Sequence, residues 1–245
     1  MRFDVLTLFP EMFSAVDASM TGRAMENGII ELNVVNIRDY SNDKHNKTDD
    51  TPYGGGPGMV MMADPVFGAL RGVGAENKRI VYMSPRGRII DKALLTELAE
   101  EPSLVVLCGH YEGMDQRVLD AWDIEELSIG DYILTGGELP AMVLIDAVSR
   151  LLPGVLSSKE SALEESIYSG LLEFPQYTRP REYEGREVPE ILLSGDHRKI
   201  DLWRFEESLK LTARQRPDLF DRFVKEHCSL AKDEKKVMEK ILGML

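Results

Sequence analysis

Cysteine and histidine are scarce in this 245-residue chain, which contains two cysteines and four histidines. The histidines are scattered, so they do not supply the ligand spacing that a zinc site needs. Two isolated thiols, Cys108 and Cys228, favour unpaired side chains over a disulfide framework. Apolar runs stay well below the roughly 18 residues that a membrane-spanning helix requires. The first residues are typical of a strand rather than of a cleaved leader, so we expect a cytoplasmic protein with no membrane association.

The common phosphate-binding signatures are also missing. No G-x-G-x-x-G follows the first strand-like segment, and no G-x-x-x-x-G-K-S/T occurs in the sequence. The glycine-rich run at residues 54–58 follows no convincing strand and has no lysine in the phosphate-binding position. A dinucleotide-dependent enzyme and a P-loop ATPase are therefore disfavoured.

Basic residues are outnumbered, with 29 lysines and arginines against 42 aspartates and glutamates and a net charge of −13. This balance argues against a protein that coats nucleic acid non-specifically, but it permits an enzyme that grips a folded RNA through a local patch. Residues 197–216 hold a local basic excess that suits phosphate contact, although a solvated helix face explains it nearly as well. The basic side chains there are Arg198, Lys199, Arg204, Lys210, Arg214 and Arg216, against the acidic Asp201, Glu206 and Glu207.

Strand-like and helix-like segments alternate through about the first 155 residues. Strands are predicted at residues 3–8, 30–37, 79–83 and 104–108. Helices are predicted at residues 10–18, 64–70, 92–100, 114–121 and 139–152. Asp64 is a plausible N-cap of its helix, with Pro65 at the first helical position. The alternation predicts an α/β fold, a parallel sheet covered by helices on both faces.

The composition changes to serine, glutamate and lysine after residue 156, which is typical of a linker. We therefore predict an α/β domain at residues 1–156, an interdomain linker at 157–170 and a smaller, mostly helical domain at 171–245. In the last of these, Asp196 can cap a helix that runs through Leu211, and Pro217 can open another. An apolar stripe at 232–242 predicts a third helix.

Three loops with unusual glycine content occupy residues 84–87, 109–113 and 128–140. The first two follow predicted strands, and the third leads into the helix predicted at 139–152. Ligands of open parallel sheets bind beyond the carboxyl ends of the strands. Glycine lets the backbone approach a flat base closely, so its amides and carbonyls can read an adenine edge. Each loop alone is better explained as a tight turn, but three such loops together favour a ligand site.

Eight strings of residues follow one another through almost the whole chain, and only about the last thirty residues are generic. They are LFPEMF (8–13), DDTPYGGGPGM (49–59), SPRG (84–87), CGHYEG (108–113), SIGDYILTGGELPAM (128–142), RLLPGVL (150–156), GLLEFPQYTRP (170–180) and VPEILLSGDH (188–197). In this order they resemble the bacterial tRNA (guanine-37-N1)-methyltransferases, a family of SPOUT methyltransferases.

The resemblance implies a fold, a reaction and partners. The α/β domain would carry a SPOUT-type trefoil knot, and the chain would form an obligate homodimer with shared active sites and a helical C-terminal tRNA-binding domain. The enzyme would use S-adenosyl-L-methionine to methylate N-1 of guanosine 37 in tRNA, which supports maintenance of the reading frame. The family also implies Mg²⁺, as a freely exchanging ion, and a guanosine before the target.

Carried over residue by residue, the resemblance turns the three loops into a cofactor site. Glu173 matches an acidic position that faces the amino group of the cofactor, and Glu112 can also face an ammonium. The other matched positions are Tyr82, Met83, Ser84, Pro85, Gly87, Gly109, Tyr111, Ser128, Ile129, Gly130, Asp131, Tyr132, Ile133, Leu134, Gly136, Gly137 and Pro140.

The implied reaction needs a base, because guanine N-1 carries a proton at neutral pH, and a cation for the charge that develops on O6. The resemblance assigns the cation to Arg150 in the last turn of the helix predicted at 139–152, where it also suits the helix dipole. Glu165 stands where the family has an aspartate base, and its extra methylene moves the carboxylate by roughly an ångström. Glu164 is the alternative base, and both acids can instead be solvated linker residues.

The loop at residues 49–59 is the candidate for reading the target base, with a structural turn at the dimer interface as the alternative. Its matched positions are Asp50, Tyr53, Gly54, Gly55, Gly56, Gly58 and Met59. Arg198, Lys199 and Arg204 are the candidate phosphate contacts.

Three other functions are weighed against this one. A SPOUT enzyme for ribosomal RNA or another tRNA position is disfavoured by the strings GGGPGM and GLLEFPQYTRP. A non-catalytic RNA-binding module, in which Glu165 marks lost activity, is disfavoured by the intact loops and Arg150. An unrelated nucleotide hydrolase is disfavoured by the missing phosphate loop.

Overall fold

The structure is a computed structural model that describes residues 1–156, 167, 169–226 and 230–243. The chain divides into two compact units, residues 1–158 and 159–245. In the first unit, five parallel strands form one sheet in the order β2-β1-β6-β5-β7. These strands are β1 (Arg2–Thr7), β2 (Glu31–Asn36), β5 (Arg79–Ile89), β6 (Ser103–Cys108) and β7 (Glu125–Ser128). Two short antiparallel strands, β3 (Asp49–Asp50) and β4 (Val60–Met61), form a separate pair.

Helices connect the parallel strands. A 3-10 helix (Pro10–Asp17) and α1 (Ser19–Glu26) lead from β1 to β2. The later connections are α2 (Ala63–Gly72) before β5, α3 (Lys92–Ala99) before β6, α4 (Gln116–Trp122) before β7 and α5 (Glu138–Ser149) after β7.

Alternate side chains of the central strands enter two separate hydrophobic cores. On β6, Leu104 and Val106 belong to the core that packs against α1, α3 and α5. Val105 and Leu107, between them, belong to the core that packs against α2 and α4. Side chains of a strand alternate between faces, so these positions are buried on both sides of the sheet. The predicted parallel α/β sheet with both faces covered is therefore confirmed.

Helix boundaries depart from the sequence prediction at two places. Helix α2 begins at Ala63 with Met62 as its N-cap, so the prediction of Asp64 as the cap was wrong. The Asp64 carboxylate instead accepts hydrogen bonds from Asn42. Helix α5 ends at Ser149, so Arg150 is its C-cap residue rather than part of the last turn.

Strand β5 is longer than predicted because it pairs with β7 again after an irregularity at residues 84–87, which we call the β5 bend. Leu127 of β7 pairs with Met83 before the bend and with Arg88 after it. At residue 87, a Cβ would collide with the backbone of Glu126 and Leu127. Only glycine allows this approach of two backbones, so Gly87 is required by the contact between β5 and β7.

The second unit is mostly helical. Its helices are α6 (Glu190–Leu193), α7 (His197–Gln215), α8 (Pro217–Glu226) and α9 (Lys232–Leu242), and β8 (Glu182–Tyr183) pairs with β9 (Arg186–Glu187). Asp196 caps α7 by accepting a hydrogen bond from the backbone of Lys199. The predicted cap and the helices that open at Pro217 and span 232–242 are confirmed.

Within the described ranges, every helix is too short or too polar to cross a bilayer.

A buried carboxylate joins three segments of the first unit near the amino ends of the strands. Asp4 on β1 is fully buried and accepts hydrogen bonds from Arg2, from Asn33 on β2 and from Lys78 before β5. Burial alone raises the pKa of Asp4, but hydrogen bonds from Arg2, Lys78 and Asn33 outweigh it and hold the pKa below its ordinary value. The carboxylate is therefore charged at neutral pH and stabilises the fold there.

We predict that Asp4→Asn lowers the free energy of unfolding at pH 7 by about 2 kcal/mol, because a buried hydrogen bond network loses its charge. The folded pKa is depressed, so the Asp4 contribution is present above the unfolded pKa of about 3.9. It is lost as the pH falls through the lower folded pKa, so the difference between the proteins should shrink below about pH 4. Urea unfolding across pH measures this.

The matched control is Glu31→Gln, which removes a more exposed partner of the same Arg2. Exposed ion pairs contribute less than about 1 kcal/mol, so this variant should unfold nearly as the wild type does. Equal stabilities of Asp4→Asn and the wild type at pH 7 would contradict the prediction.

Candidate active site

The carboxyl ends of β5, β6 and β7 enclose a cleft of about 250 Å³, which we call the strand-end cleft. Its walls are the β5 bend (84–87), the β6 loop (109–115) and the β7 loop (129–137). Most of the predicted cofactor residues line it: Tyr82, Met83, Ser84, Pro85, Gly109, Tyr111, Glu112, Ser128, Ile129, Gly130, Tyr132, Ile133, Leu134, Gly136, Gly137 and Pro140. Folding thus brings together three stretches that are distant in sequence.

Six further residues line the strand-end cleft but were not among the predicted cofactor residues. They are Arg86, His110, Gly113, Met114, Leu127 and Thr135. Each lies within or directly beside a string already singled out, so proximity in sequence was the available signal. The sequence could not show that these residues line the cleft, because this depends on the path of the loops in the folded chain.

Close backbone contacts hold the β6 and β7 loops together. The amide of Gly137 donates to the carbonyl of Gly109 at 2.8 Å. A Cβ at residue 137 would lie 2.8 Å from the Gly109 nitrogen and 2.9 Å from the Cys108 Cα. At residue 109, a Cβ would lie 2.5 Å from the ring of Tyr82. These two glycines are therefore required by packing between the walls.

The β7 loop carries apolar side chains at the mouth of the strand-end cleft. Ile133 is 78% exposed and Tyr132 is 55% exposed, while Leu134 is less so. Gly130 has a φ of +150°, and its carbonyl accepts a hydrogen bond from the Tyr132 amide. The loop is thus internally ordered, but its apolar tip is left open to a ligand or a second chain.

Tyr82, which lines the strand-end cleft, and Cys108, which is fully buried at the end of β6, are both held in their neutral forms. Burial raises the pKa of Tyr82 to about 12, with a further contribution from the charge of Glu126. Burial, followed by the charge of Glu138, raises the pKa of the Cys108 thiol well above its ordinary value. At neutral pH Tyr82 is thus a packing wall rather than a base, and Cys108 is not a nucleophile.

The predicted base-reading loop adjoins the β6 loop. Strands β3 and β4 close it as a hairpin, with positive φ at Gly54, Gly55, Gly56 and Gly58 and a fully exposed Tyr53 at its tip. The amide of Glu112 donates to the Met59 carbonyl at 2.9 Å. The backbone amide of Thr51 and the side chain of Lys47 lower the pKa of the exposed Asp50. One side of this loop is therefore continuous with a cleft wall.

Several predicted site residues lie apart from the lining of the strand-end cleft. Gly87 lies in close backbone contact with β7, and Asp131 is exposed outside the lining. Glu173 belongs to the second unit, where it accepts a hydrogen bond from Gln176. Arg150 follows α5 directly. Glu164 and Glu165 lie outside the described residues.

The predicted phosphate contacts on α7 take part in exposed ion pairs. Arg198 pairs with Asp233, Lys199 with Asp196 and Arg204 with Asp201. Arg204 also lies over the ring of Phe174 at 5.0 Å. A phosphate that binds there must compete with these acidic partners.

No group of three or more histidine, cysteine, aspartate or glutamate side chains that can hold a metal ion is found in the described part of the chain.

An open parallel sheet with a cleft beyond the carboxyl ends of three neighbouring strands defines an α/β protein that binds a small ligand at those ends. The family model described as tRNA (Guanine-1)-methyltransferase TrmD matches residues 1–222 of this chain. The match covers most of the sequence, and the chain belongs to this family.

Relatives of this chain carry the same description over nearly their full lengths. A tRNA (guanine-N(1)-)-methyltransferase of Ruminiclostridium cellulolyticum is 56% identical over 226 residues, which cover 91% of this chain and 97% of the relative. One of Clostridium acetobutylicum is 51% identical over 239 residues, or 97% and 96% of the two chains. One of Clostridioides difficile is 49% identical over 225 residues, or 90% and 97%.

We predict that Gly137→Ala weakens binding of S-adenosyl-L-methionine at least tenfold, because the new Cβ forces the β6 loop away from α5. The same overpacking should lower the free energy of unfolding by about 1–3 kcal/mol. Titration calorimetry and urea unfolding measure the two effects. Gly243→Ala is the control, since its Cβ would meet the nearest atom at an ordinary 3.5 Å. Wild-type affinity in Gly137→Ala would contradict the prediction.

Proposed function

We propose that the chain transfers the methyl group of S-adenosyl-L-methionine to N-1 of guanosine 37 in tRNA, in the cytoplasm. The observation that carries this proposal is the strand-end cleft itself, in a chain that belongs to the tRNA (Guanine-1)-methyltransferase family. The product is 1-methylguanosine beside the anticodon, which supports maintenance of the reading frame.

The strand-end cleft suits the adenosine part of the methyl donor. Its volume of about 250 Å³ is just below the roughly 300–1,000 Å³ of small-molecule sites, so it suits part of the donor rather than the whole molecule. Glycines at 109 and 130 let the β6 and β7 loops approach a flat base closely, and Tyr82 supplies an apolar wall. Glu112 supplies an acceptor for the ammonium group, and Glu173 is the second candidate. The donor brings a methyl group already activated on its sulfonium.

The chemistry left to the protein is removal of the N-1 proton and stabilisation of charge on guanine O6. We assign the first to Glu165, which takes the proton as the N–CH₃ bond forms and the C–S bond breaks. We assign the second to Arg150, whose guanidinium is always charged at neutral pH. The family also implies Mg²⁺, which would be supplied from solution as a freely exchanging ion.

The proposed tRNA contacts come from two places. The hairpin loop at residues 49–59 presents an exposed Tyr53 and a glycine-rich backbone to the target base and its 5′ neighbour. Arg198, Lys199 and Arg204 present exposed cations to phosphates. The proposed cofactor-binding domain at residues 1–156 therefore also carries a tRNA contact, and it is followed by a linker at 157–170 and the tRNA-binding domain at 171–245.

We include a trefoil knot of the SPOUT type in the proposal, because the chain belongs to the tRNA (Guanine-1)-methyltransferase family. Such knots are rare exceptions to the rules of chain connection. The β5 bend lies where the strands of the proposed cofactor site end.

Exposed apolar side chains on α5 support a homodimer. Leu139 is 49% exposed and Val143 is 51% exposed, and their spacing of four places them on one face of the helix. Met12, on the 3-10 helix that contacts α5, is also exposed. A second copy of this chain is the proposed occupant of this face, and it would also cover the open tip of the β7 loop.

The first test is methyl transfer from labelled S-adenosyl-L-methionine to an unmodified tRNA with guanosines at positions 36 and 37. Wild type and Glu165→Asp should methylate N-1, while Glu165→Gln should be slower by about 10²–10⁴-fold because the general base is lost. Glu164→Gln is the matched control and should retain activity. The same tRNA with adenosine at position 37 and ribosomal RNA serve as alternative substrates. A further reaction with EDTA tests the need for Mg²⁺.

Equal rates for the wild type, Glu165→Asp and Glu165→Gln would show that Glu165 is not the base and would point to Glu164. Methyl transfer to ribosomal RNA but not to this tRNA would overturn the proposed substrate and identify ribosomal RNA instead.

A second test addresses the dimer. Leu139→Lys combined with Val143→Lys should give a monomer in sedimentation equilibrium, because two charges would be buried in an apolar interface. Leu242→Lys, which alters an exposed leucine of α9, is the control and should remain dimeric. A wild-type monomer would overturn the proposed dimer, and a dimeric double variant would exclude this face of α5.

A further inference from the structure

Glu138 is a buried carboxylate directly behind the strand-end cleft. It lies in the first turn of α5 and is 1% exposed, yet it is not part of the cleft lining. Its Oε1 accepts a hydrogen bond from the Thr7 hydroxyl at 2.6 Å. Its Oε2 lies 2.7 Å from His110 Nε2. One carboxylate therefore joins the end of β1, the β6 loop and the start of α5.

Thr7 extends this connection to the segment after β1. Its hydroxyl oxygen accepts a hydrogen bond from the Phe9 amide at 2.9 Å while its proton goes to Glu138. The ring of Phe9 lies 4.8 Å from that of His110, between centroids. The hydroxyl is thus used both as donor and as acceptor, which fixes its orientation.

His110 connects Glu138 to two walls of the strand-end cleft. Its own backbone lies in the β6 loop and forms an isolated antiparallel bridge with Gly136 of the β7 loop. A Cβ at residue 136 would collide with the His110 ring and lie 2.6 Å from Glu138 Oε2. The imidazole and the carboxylate therefore occupy the space that any other side chain at position 136 would need.

Burying a carboxylate costs several kcal/mol unless hydrogen-bonded partners compensate for lost water. Here both partners come from segments at the ligand edge of the sheet, and one of them, His110, lines the strand-end cleft. An apolar side chain at 138 would fill the same space at lower cost, but it would leave Thr7 and His110 without this acceptor. The arrangement therefore serves orientation rather than packing.

We propose that Glu138 is a positioning residue for the cofactor. Through His110 it holds the β6 loop against the β7 loop, and through Thr7 it anchors both to β1, in the arrangement that receives adenosine. This rests on the proposed function, because adenosine is taken as the occupant of the cleft. Glu138 itself does not touch the ligand.

The variants separate orientation from packing. Glu138→Gln keeps the size of the side chain, but its single carbonyl oxygen cannot replace both acceptor oxygens. His110→Phe keeps a ring and removes the polar nitrogen. Thr7→Val removes the hydroxyl at constant size, and Thr7→Ser keeps it. Glu100→Gln, at the exposed end of α3, is the surface control.

The experiment measures the dissociation constant of S-adenosyl-L-methionine by calorimetry, KM and kcat for methyl transfer, and the melting temperature of the full-length protein. Glu138→Gln and His110→Phe should each weaken binding at least tenfold and raise KM for the donor more than they lower kcat. Thr7→Val should weaken binding a few-fold, while Thr7→Ser and Glu100→Gln should bind as the wild type does. The double variant Glu138→Gln with His110→Phe should bind the donor about as weakly as whichever single variant binds it more weakly, because the two residues act through one contact.

Wild-type dissociation constants in folded Glu138→Gln, His110→Phe and Thr7→Val would overturn this inference alone. A lower melting temperature with unchanged affinity and KM would do the same, because it would show a purely structural role. Should Glu138→Gln not fold, equal affinities of Thr7→Val and Thr7→Ser would overturn it. Absence of donor binding to the wild type would overturn the proposed function as well.

Discussion

Close approach of backbone to backbone is the constraint on which the ligand edge of this protein depends. Strand β5 lies in close backbone contact with β7 at Gly87, and the β6 loop lies against the start of α5 at Gly109 and Gly137. At each of these positions a Cβ would meet main-chain atoms or a buried ring. The loops can therefore meet in one cleft only because glycine leaves room for direct contact between walls.

Two buried carboxylates act on this framework in different ways. Asp4, near the amino ends of the strands, accepts hydrogen bonds from two cationic side chains and one amide, so its charge stabilises the sheet. Glu138, at the carboxyl ends, has a hydroxyl and an imidazole as partners, both carried by segments at the ligand edge. The first stabilises the fold, whereas the second is placed to orient loops, because its partners lie where the strands end.

Some features could be predicted from residue pattern, and others could not. The apolar runs of β1 and β6 identify buried parallel strands, since both faces are covered. Strand β7 was not predicted, because its sequence EELS begins with two acidic residues. Glu125 and Glu126 pair with Arg79 and Arg86, which lie some forty residues earlier. An ion pair between distant segments leaves no local periodicity, so this strand becomes visible only in the folded chain.

The sequence by itself determined the alternation of strands and helices, the three glycine-bearing loops and the membership of a methyltransferase family, because each depends on local pattern or on long matching strings. Tertiary structure alone decided which glycines serve close backbone contacts, that His110 lines the strand-end cleft, and that Glu138 lies buried behind it. The reason is physical: burial and hydrogen bonding join residues such as Thr7 and Glu138 across 131 positions. Such contacts form only when the sheet brings its strand ends together.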